Sequence, residues 1–139
     1  MSLFPGAGED ALTGERRHAL AEMYRAFNQR DIDGALAHLA PGVDWPNAQN
    51  GGRVVGRDAV RAYWLKQWSE IDPRVEPLEI DLTPGGATVR VDQLVKSLDG
   101  KILSNHRVEH VYTFGGPFIT RMTIVDRGES GDEEEGDEA

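Results

Sequence analysis

The sequence predicts an α+β fold, with three helices packed on one face of a curved antiparallel sheet. Three observations predict it. Apolar residues recur at helical spacing through the first half of the 139-residue chain. From about Val75 the spacing changes to strand-like runs. That second half is cut into four by Pro84-Gly85-Gly86, Asp99-Gly100 and Gly115-Gly116-Pro117, the turn chemistry of a meander.

The elements follow in order. Thr13 is a capping residue, and Leu20, Met23, Tyr24 and Phe27 then fall at i, i+3, i+4 and i+7, with Ala19 and Ala26 beside them. This first helix is predicted to end near Gln29-Arg30. Asp31 or Asp33 caps a shorter second helix carrying Ala35, Leu36 and Leu39 on one face, stopped by Pro41-Gly42. Val43-Asp44-Trp45 reads as a brief strand, because Pro46 keeps Trp45 out of the helical region. Asn47 to Gly52 is a polar loop. Arg57 or Asp58 opens a third helix with the stripe Val60, Trp64, Trp68 and Ile71, ended by Asp72-Pro73. Such an aromatic stripe is expected to be core packing against the sheet. The four strands are read at Val75–Leu82, Ala87–Leu98, Ile102–Phe114 and Phe118–Val125.

Length and a hydrophobic content of 39% suit a single core. The organisation expected is a flexible N-terminus over 1–12, one domain over 13–127 and a disordered acidic tail over 128–139. The tail holds seven acids and no Lys or Arg; removing them from a net −9 leaves −2 on the rest. No basic stripe suggests nucleic acid, and no apolar run is long enough to span a membrane. The start, MSLFPGAGED, does not read as a secretory signal, so the expected location is cytoplasmic. The chain has no cysteine, which excludes disulfides, thiolate nucleophiles and Cys-based zinc sites.

Two of the four histidines fall in the third meander strand, NHRVEHVYTF, as His106 and His110. Alternation puts His106, Val108, His110 and Tyr112 on one face and Arg107, Glu109, Val111 and Thr113 on the other. At about 3.3 Å per residue the two histidines stand about 13 Å apart, too far to clamp one metal ion. What faces them from the preceding strand depends on the turn at Asp99-Gly100. A two-residue turn pairs Leu98 with Lys101 and brings Val89, Val91 and Gln93 to the histidine face. A three-residue turn with Gly100 left-handed pairs Ser97 with Lys101 and brings Asp92 opposite His106 and Arg90 opposite Val108. The residues alone leave both open.

The helix Leu20–Phe27, the run Arg30-Asp31-Ile32-Asp33-Gly34-Ala35-Leu36, Val43-Asp44-Trp45-Pro46, Val55-Gly56-Arg57-Asp58-Ala59-Val60 and the C-terminal hairpins resemble the nuclear-transport-factor-2-like superfamily. The likeness is to its SnoaL-like and ketosteroid-isomerase-like branches and covers about residues 13–127. The resemblance implies a cone-shaped half-barrel with an apolar pocket between sheet and helices, and a homodimer through the outer sheet face. Arg90 and Asp92 match positions where limonene-epoxide-hydrolase-like members carry a pocket Arg and Asp, which favours the three-residue turn. Those hydrolases' second carboxylate falls on Ile124, with Asp126 two residues on. Against ketosteroid isomerases, the base position falls on Trp45, the phenol on Met23 beside Tyr24, and the second oxyanion donor on His110.

The function expected is therefore binding of a small apolar organic molecule. If the protein is an enzyme, it needs no cofactor or metal and performs epoxide hydration, isomerisation or cyclisation. Asp92 with His106 or His110 would move protons, and Arg90 would hold developing negative charge. A carboxylate beside imidazole would favour its protonated form. Trp45, Trp64, Met122 and Ile124 would be apolar walls. The alternative is a non-catalytic ligand-binding or dimeric interaction module.

Overall fold

The computed structural model describes residues 11–48 and 50–130. Most of the expected flexible N-terminus (1–10) and of the acidic tail (131–139) lie outside the described residues. Helix α1 spans Ala11–Asn28, α2 Ile32–Leu36 and α3 Arg57–Glu70. The strands are β1 Leu39–Pro46, β2 Arg53–Val55, β3 Ile71–Thr83, β4 Gly86–Ser97, β5 Ile102–Gly115 and β6 Phe118–Ser130. They form one curved, unclosed sheet in the order β2-β1-β6-β5-β4-β3, antiparallel except where β1 runs parallel to β6. This is the α+β cone the sequence predicts.

The helical stripe of α1 buries Ala19, Leu20, Met23, Tyr24, Ala26 and Phe27. The helix begins before Thr13, so that residue lies inside the first turn and is not the cap. After α1 the chain reverses at Arg30, which holds a left-handed φ of 63°. Its guanidinium ties that turn down, donating to the Asp72 carboxylate and to the carbonyls of Pro73 (2.7 Å) and Phe27 (3.2 Å). It also lies over the Trp68 ring, 5.1 Å from the centroid. Asp31 caps α2, accepting the Gly34 N–H at 3.0 Å. Helix α2 stops at Leu36, so Leu39 opens β1 and Pro41 and Gly42 lie within that strand.

Strand β2 is not anticipated by the sequence: three residues are too few to show a period, yet they pair with β1 at Asp44, Trp45 and Pro46. Helix α3 ends one residue early, and Ile71 is its C-cap in extended conformation and the first residue of β3. Pro73 therefore sits inside a strand, as does Pro77. Both are tolerated because β3 is the edge strand of the sheet among the described residues. No described helix is long and apolar enough to cross a membrane. The core between helices and sheet is led by Leu20, Tyr24, Leu39, Trp64, Val89 and Ile119, each at most 2% exposed.

Candidate functional site

A cavity of about 60 Å³ opens between the helices and the concave face of the sheet. Helix α1 supplies Met23, Tyr24 and Phe27, and α3 supplies Tyr63, Trp64 and Gln67. Trp45 and Pro46 come from β1, Gln93 from β4, His110 and Tyr112 from β5, and Met122 and Ile124 from β6. The rings of Trp45 and Trp64 meet edge to face with centroids 5.5 Å apart, a rigid wall. At one end, Tyr63 Oη accepts the Ala48 N–H at 3.0 Å and tethers the loop after β1 to α3. Among the described residues no Asp, Glu, Lys or Arg lines the cavity.

Its polar centre is a chain of three groups. Tyr112 Oη and Tyr24 Oη are 2.6 Å apart, and Tyr24 Oη is 2.8 Å from His110 Nδ1. The Tyr24 and His110 rings lie nearly parallel, at 13°. Helical spacing turns Tyr24 inward from α1, and strand alternation turns His110 and Tyr112 inward from β5. Gly86, opposite Thr113, allows β4 to come close at this point, since a Cβ there would collide with the Tyr112 carbonyl. His110 is the only buried polar or charged residue of the described chain, 4% exposed. Its Nε2 is buried and meets no protein hydrogen-bond partner. Trp68 Nε1 is also unpartnered, but Trp68 does not line the cavity.

Burial decides the ionisation of all three. It pushes the His110 imidazole from 6.5 down to about 4, because a buried imidazolium would lose its hydration. It pushes both tyrosine hydroxyls up; for Tyr24 the neighbouring Tyr112 adds to the effect, and for Tyr112 the bond to Tyr24 offsets part of it. At neutral pH the centre is therefore a neutral imidazole and two intact phenols.

Seven of the sequence-predicted site residues line this cavity: Met23, Tyr24, Trp45, Trp64, His110, Met122 and Ile124. His106 shares the face of His110 but is exposed, opposite Gln93, outside the lining. Asp126 is exposed opposite Val108, also outside it. The lining also includes Phe27, Tyr63, Gln67, Gln93 and Tyr112, with Pro46, Ala48 and Val75. Of these, Tyr112 is signalled by sharing the strand face of His110, and Phe27 by its place in the α1 stripe.

Arg90 and Asp92 correct the expectation that they face inward. The β4–β5 turn does take the three-residue form: the Ser97 N–H donates to the Lys101 carbonyl at 2.8 Å, and Gly100 is left-handed with φ of 98°. That register holds only as far as Lys96 opposite Ile102. The next pair is Val95 with Ser104, and Leu103 is passed over. This bulge shifts the pairing by one residue and turns the faces over. Val89 now lies opposite His110, Val91 opposite Val108 and Gln93 opposite His106. Asp92 faces away, its Oδ1 accepting from Arg107 Nε at 2.9 Å, and Arg90 lies 3.6 Å from Glu79. The physical reason is burial: Val89 and Val91 are completely enclosed, and the one-residue shift is what puts them inside.

The fold recurs among solved proteins. The crystal structure of TerC co-crystallized with polyporic acid superposes with a TM-score of 0.72 at 24% identity, covering 81% of this chain and 91% of that one. A protein of unknown function from Burkholderia pseudomallei gives 0.72 at 25% identity, covering 81% and 90%. Rv0760c of Mycobacterium tuberculosis, in complex with estradiol-17beta-hemisuccinate, gives 0.68 at 20% identity, covering 78% and 90%. No curated protein matches. The SnoaL-like domain model matches residues 20–132, most of the chain, and the chain belongs to that family.

Proposed function

We propose that the protein binds a small, uncharged, largely apolar organic molecule in the cone, with a polar contact at His110 Nε2. The observation that carries this reading is a buried imidazole nitrogen without a partner among the described residues, on a residue lining a mostly apolar cavity whose other polar side chains, Tyr24, Tyr63, Gln67, Gln93 and Tyr112, are all uncharged. A charged ligand finds no counter-charge there, and burying an unpaired ion is costly. The cavity of about 60 Å³ takes only a fragment, well under the ~300 Å³ of a drug-sized site. A larger occupant has to displace Met23, Met122 or Ile124, side chains with rotatable ends. That structural relatives hold polyporic acid or an estradiol ester supports the same use of the cone. The test is nuclear magnetic resonance titration with neutral, monocyclic apolar fragments. Saturable shifts confined to His110, Tyr24, Trp45 and Trp64 are expected, and shifts spread evenly over the surface would remove the reading.

The chain of Tyr112, Tyr24 and His110 favours a second reading, cofactor-free proton-transfer chemistry on the bound molecule. A neutral imidazole can polarise a carbonyl or epoxide oxygen by hydrogen bonding, with the phenols behind it. Turnover of epoxides, enones or lactones that is lost in His110→Ala and kept in Asp92→Asn would establish it. The outer sheet face, where Val111 and Thr113 are exposed between charged neighbours, is the surface proposed for a second copy of the chain. A monomer in sedimentation equilibrium would remove that part and leave the pocket reading intact.

A further inference from the structure

The three-group chain behind the cavity has a direction. A neutral imidazole carries one proton and each phenol carries one, so three protons serve two internal hydrogen bonds and one open nitrogen. Three orders make both bonds; one of them, with Tyr24 accepting from both neighbours, strands the proton of Tyr24 itself, and the other two run in opposite directions. In the first, the Tyr112 O–H donates to Tyr24 Oη, the Tyr24 O–H donates to His110 Nδ1, and the imidazole proton sits on Nε2. In the second, the Nδ1–H donates to Tyr24, Tyr24 donates to Tyr112, and Nε2 is a bare lone pair. The second order strands the Tyr112 proton. Tyr112 is 3% exposed, and among the described residues Tyr24 is the one hydrogen-bond partner of its hydroxyl. The first order strands nothing inside the protein except the Nε2–H.

We infer that Tyr24 and Tyr112 lock His110 as a hydrogen-bond donor, so that the pocket selects ligands whose oxygen accepts but does not donate: ketones, aldehydes, epoxides, cyclic ethers and lactones, over the matching alcohols. The inference rests on the pocket reading above and names its ligand class. A carbonyl oxygen takes the Nε2–H and leaves every buried proton in the chain paired. An alcohol leaves one unpaired at this centre, unless its proton reaches the amide oxygen of Gln67 or Gln93 on the wall. Either it accepts from Nε2–H and buries its own proton, or it donates to Nε2, reverses the chain and strands the proton of Tyr112. One unpaired buried donor is worth about tenfold in affinity or more. Tyr24 acts here as a positioning residue, since its hydroxyl is committed to Nδ1 and it sets which nitrogen carries the proton. Tyr112 completes the chain by donating to Tyr24.

Two measurements test this. In the ligand-free protein at pH 7, long-range proton–nitrogen correlation on ¹⁵N-histidine-labelled protein reads the tautomer of His110 directly. The Nε2–H form is expected, and the Nδ1–H form overturns the inference. Titration then compares cyclohexanone, cyclohexanol and methylenecyclohexane, three shapes that differ at one polar group. The ketone is expected to bind about tenfold tighter than the alcohol. Tyr24→Phe, which frees Nδ1, is expected to bring the pair within about twofold, while Tyr112→Phe keeps the preference because Tyr24 still donates to Nδ1. Equal affinities for the pair in the unmodified protein, or a preference that survives Tyr24→Phe, overturn it. If none of the three binds, it is the pocket reading that fails, and the tautomer measurement still decides the direction of the chain.

Discussion

Asp92 and His110 stand on opposite faces of one sheet. Asp92 lies opposite Arg107 in the β4–β5 ladder and His110 opposite Val89, three residues away along β4, an odd number. The charged residues of this hairpin thus serve the outside of the cone, and its interior keeps a neutral histidine.

The first prediction follows from that separation. Asp92→Asn should leave fragment binding at His110 unchanged. Its stability should shift by no more than about 1 kcal/mol, because the ion pair with Arg107 is partly exposed. Chemical denaturation and fragment titration of the variant check both. Loss of binding would place Asp92 back in the site.

The second concerns acid. His110 titrates near 6.5 when unfolded and at about 4 when buried. Between those values the unfolded chain binds the extra proton, so stability falls as pH falls from about 6.5 to about 4 and the loss levels off below. Full development of the effect is about 3 kcal/mol. Comparing His110→Phe with the parent from pH 7 to pH 4 isolates it. The parent should lose more stability than the variant over this window, and parallel curves would contradict a buried neutral imidazole.

A third tests the cavity itself. Ile124→Trp adds bulk at a half-buried position opposite His110. It should abolish fragment binding and leave the melting temperature within a few degrees, since the added volume enters existing space. Retained binding would put the ligand elsewhere.

A fourth addresses the crossover of β1 beside β6. The Asp44 carboxylate receives Arg53 Nε at 2.7 Å and also the guanidinium of Arg121, while Arg53 Nη2 reaches the Met122 carbonyl at 2.7 Å. These bonds clasp β2, β1 and β6 where the parallel pair is irregular. Arg53→Ala should cost about 1–3 kcal/mol, because it leaves the Met122 carbonyl and part of the Asp44 carboxylate unpaired. Urea denaturation would show it.

The long elements are readable because each repeats its period several times. Leu20 to Phe27 marks α1, and the turn glycines divide the meander. Strand β2 and the start of β3 at Ile71 are not, since three residues show no period and Pro73 reads as a stop unless the strand is known to be an edge. In the site, Tyr24 and Trp64 are marked by helical spacing, while Trp45 comes from the family likeness. The register of β4 is where local reading and burial disagree. Ala87, Val89 and Val91 alternate with Thr88, Arg90 and Asp92, a pattern that by itself sends the valines inward. Turn chemistry at Asp99-Gly100 is a local signal, and it is obeyed at the turn. The bulge at Leu103 is decided by how six strands bury their apolar rows together, and a single hairpin does not contain that information.

Leu103 therefore acts as a one-residue spacer that chooses which row of β4 meets the core. With β5 held by β6, pairing without it would turn Arg90 and Asp92 toward the helices in place of Val89 and Val91, so the spacer spares the core two buried charges.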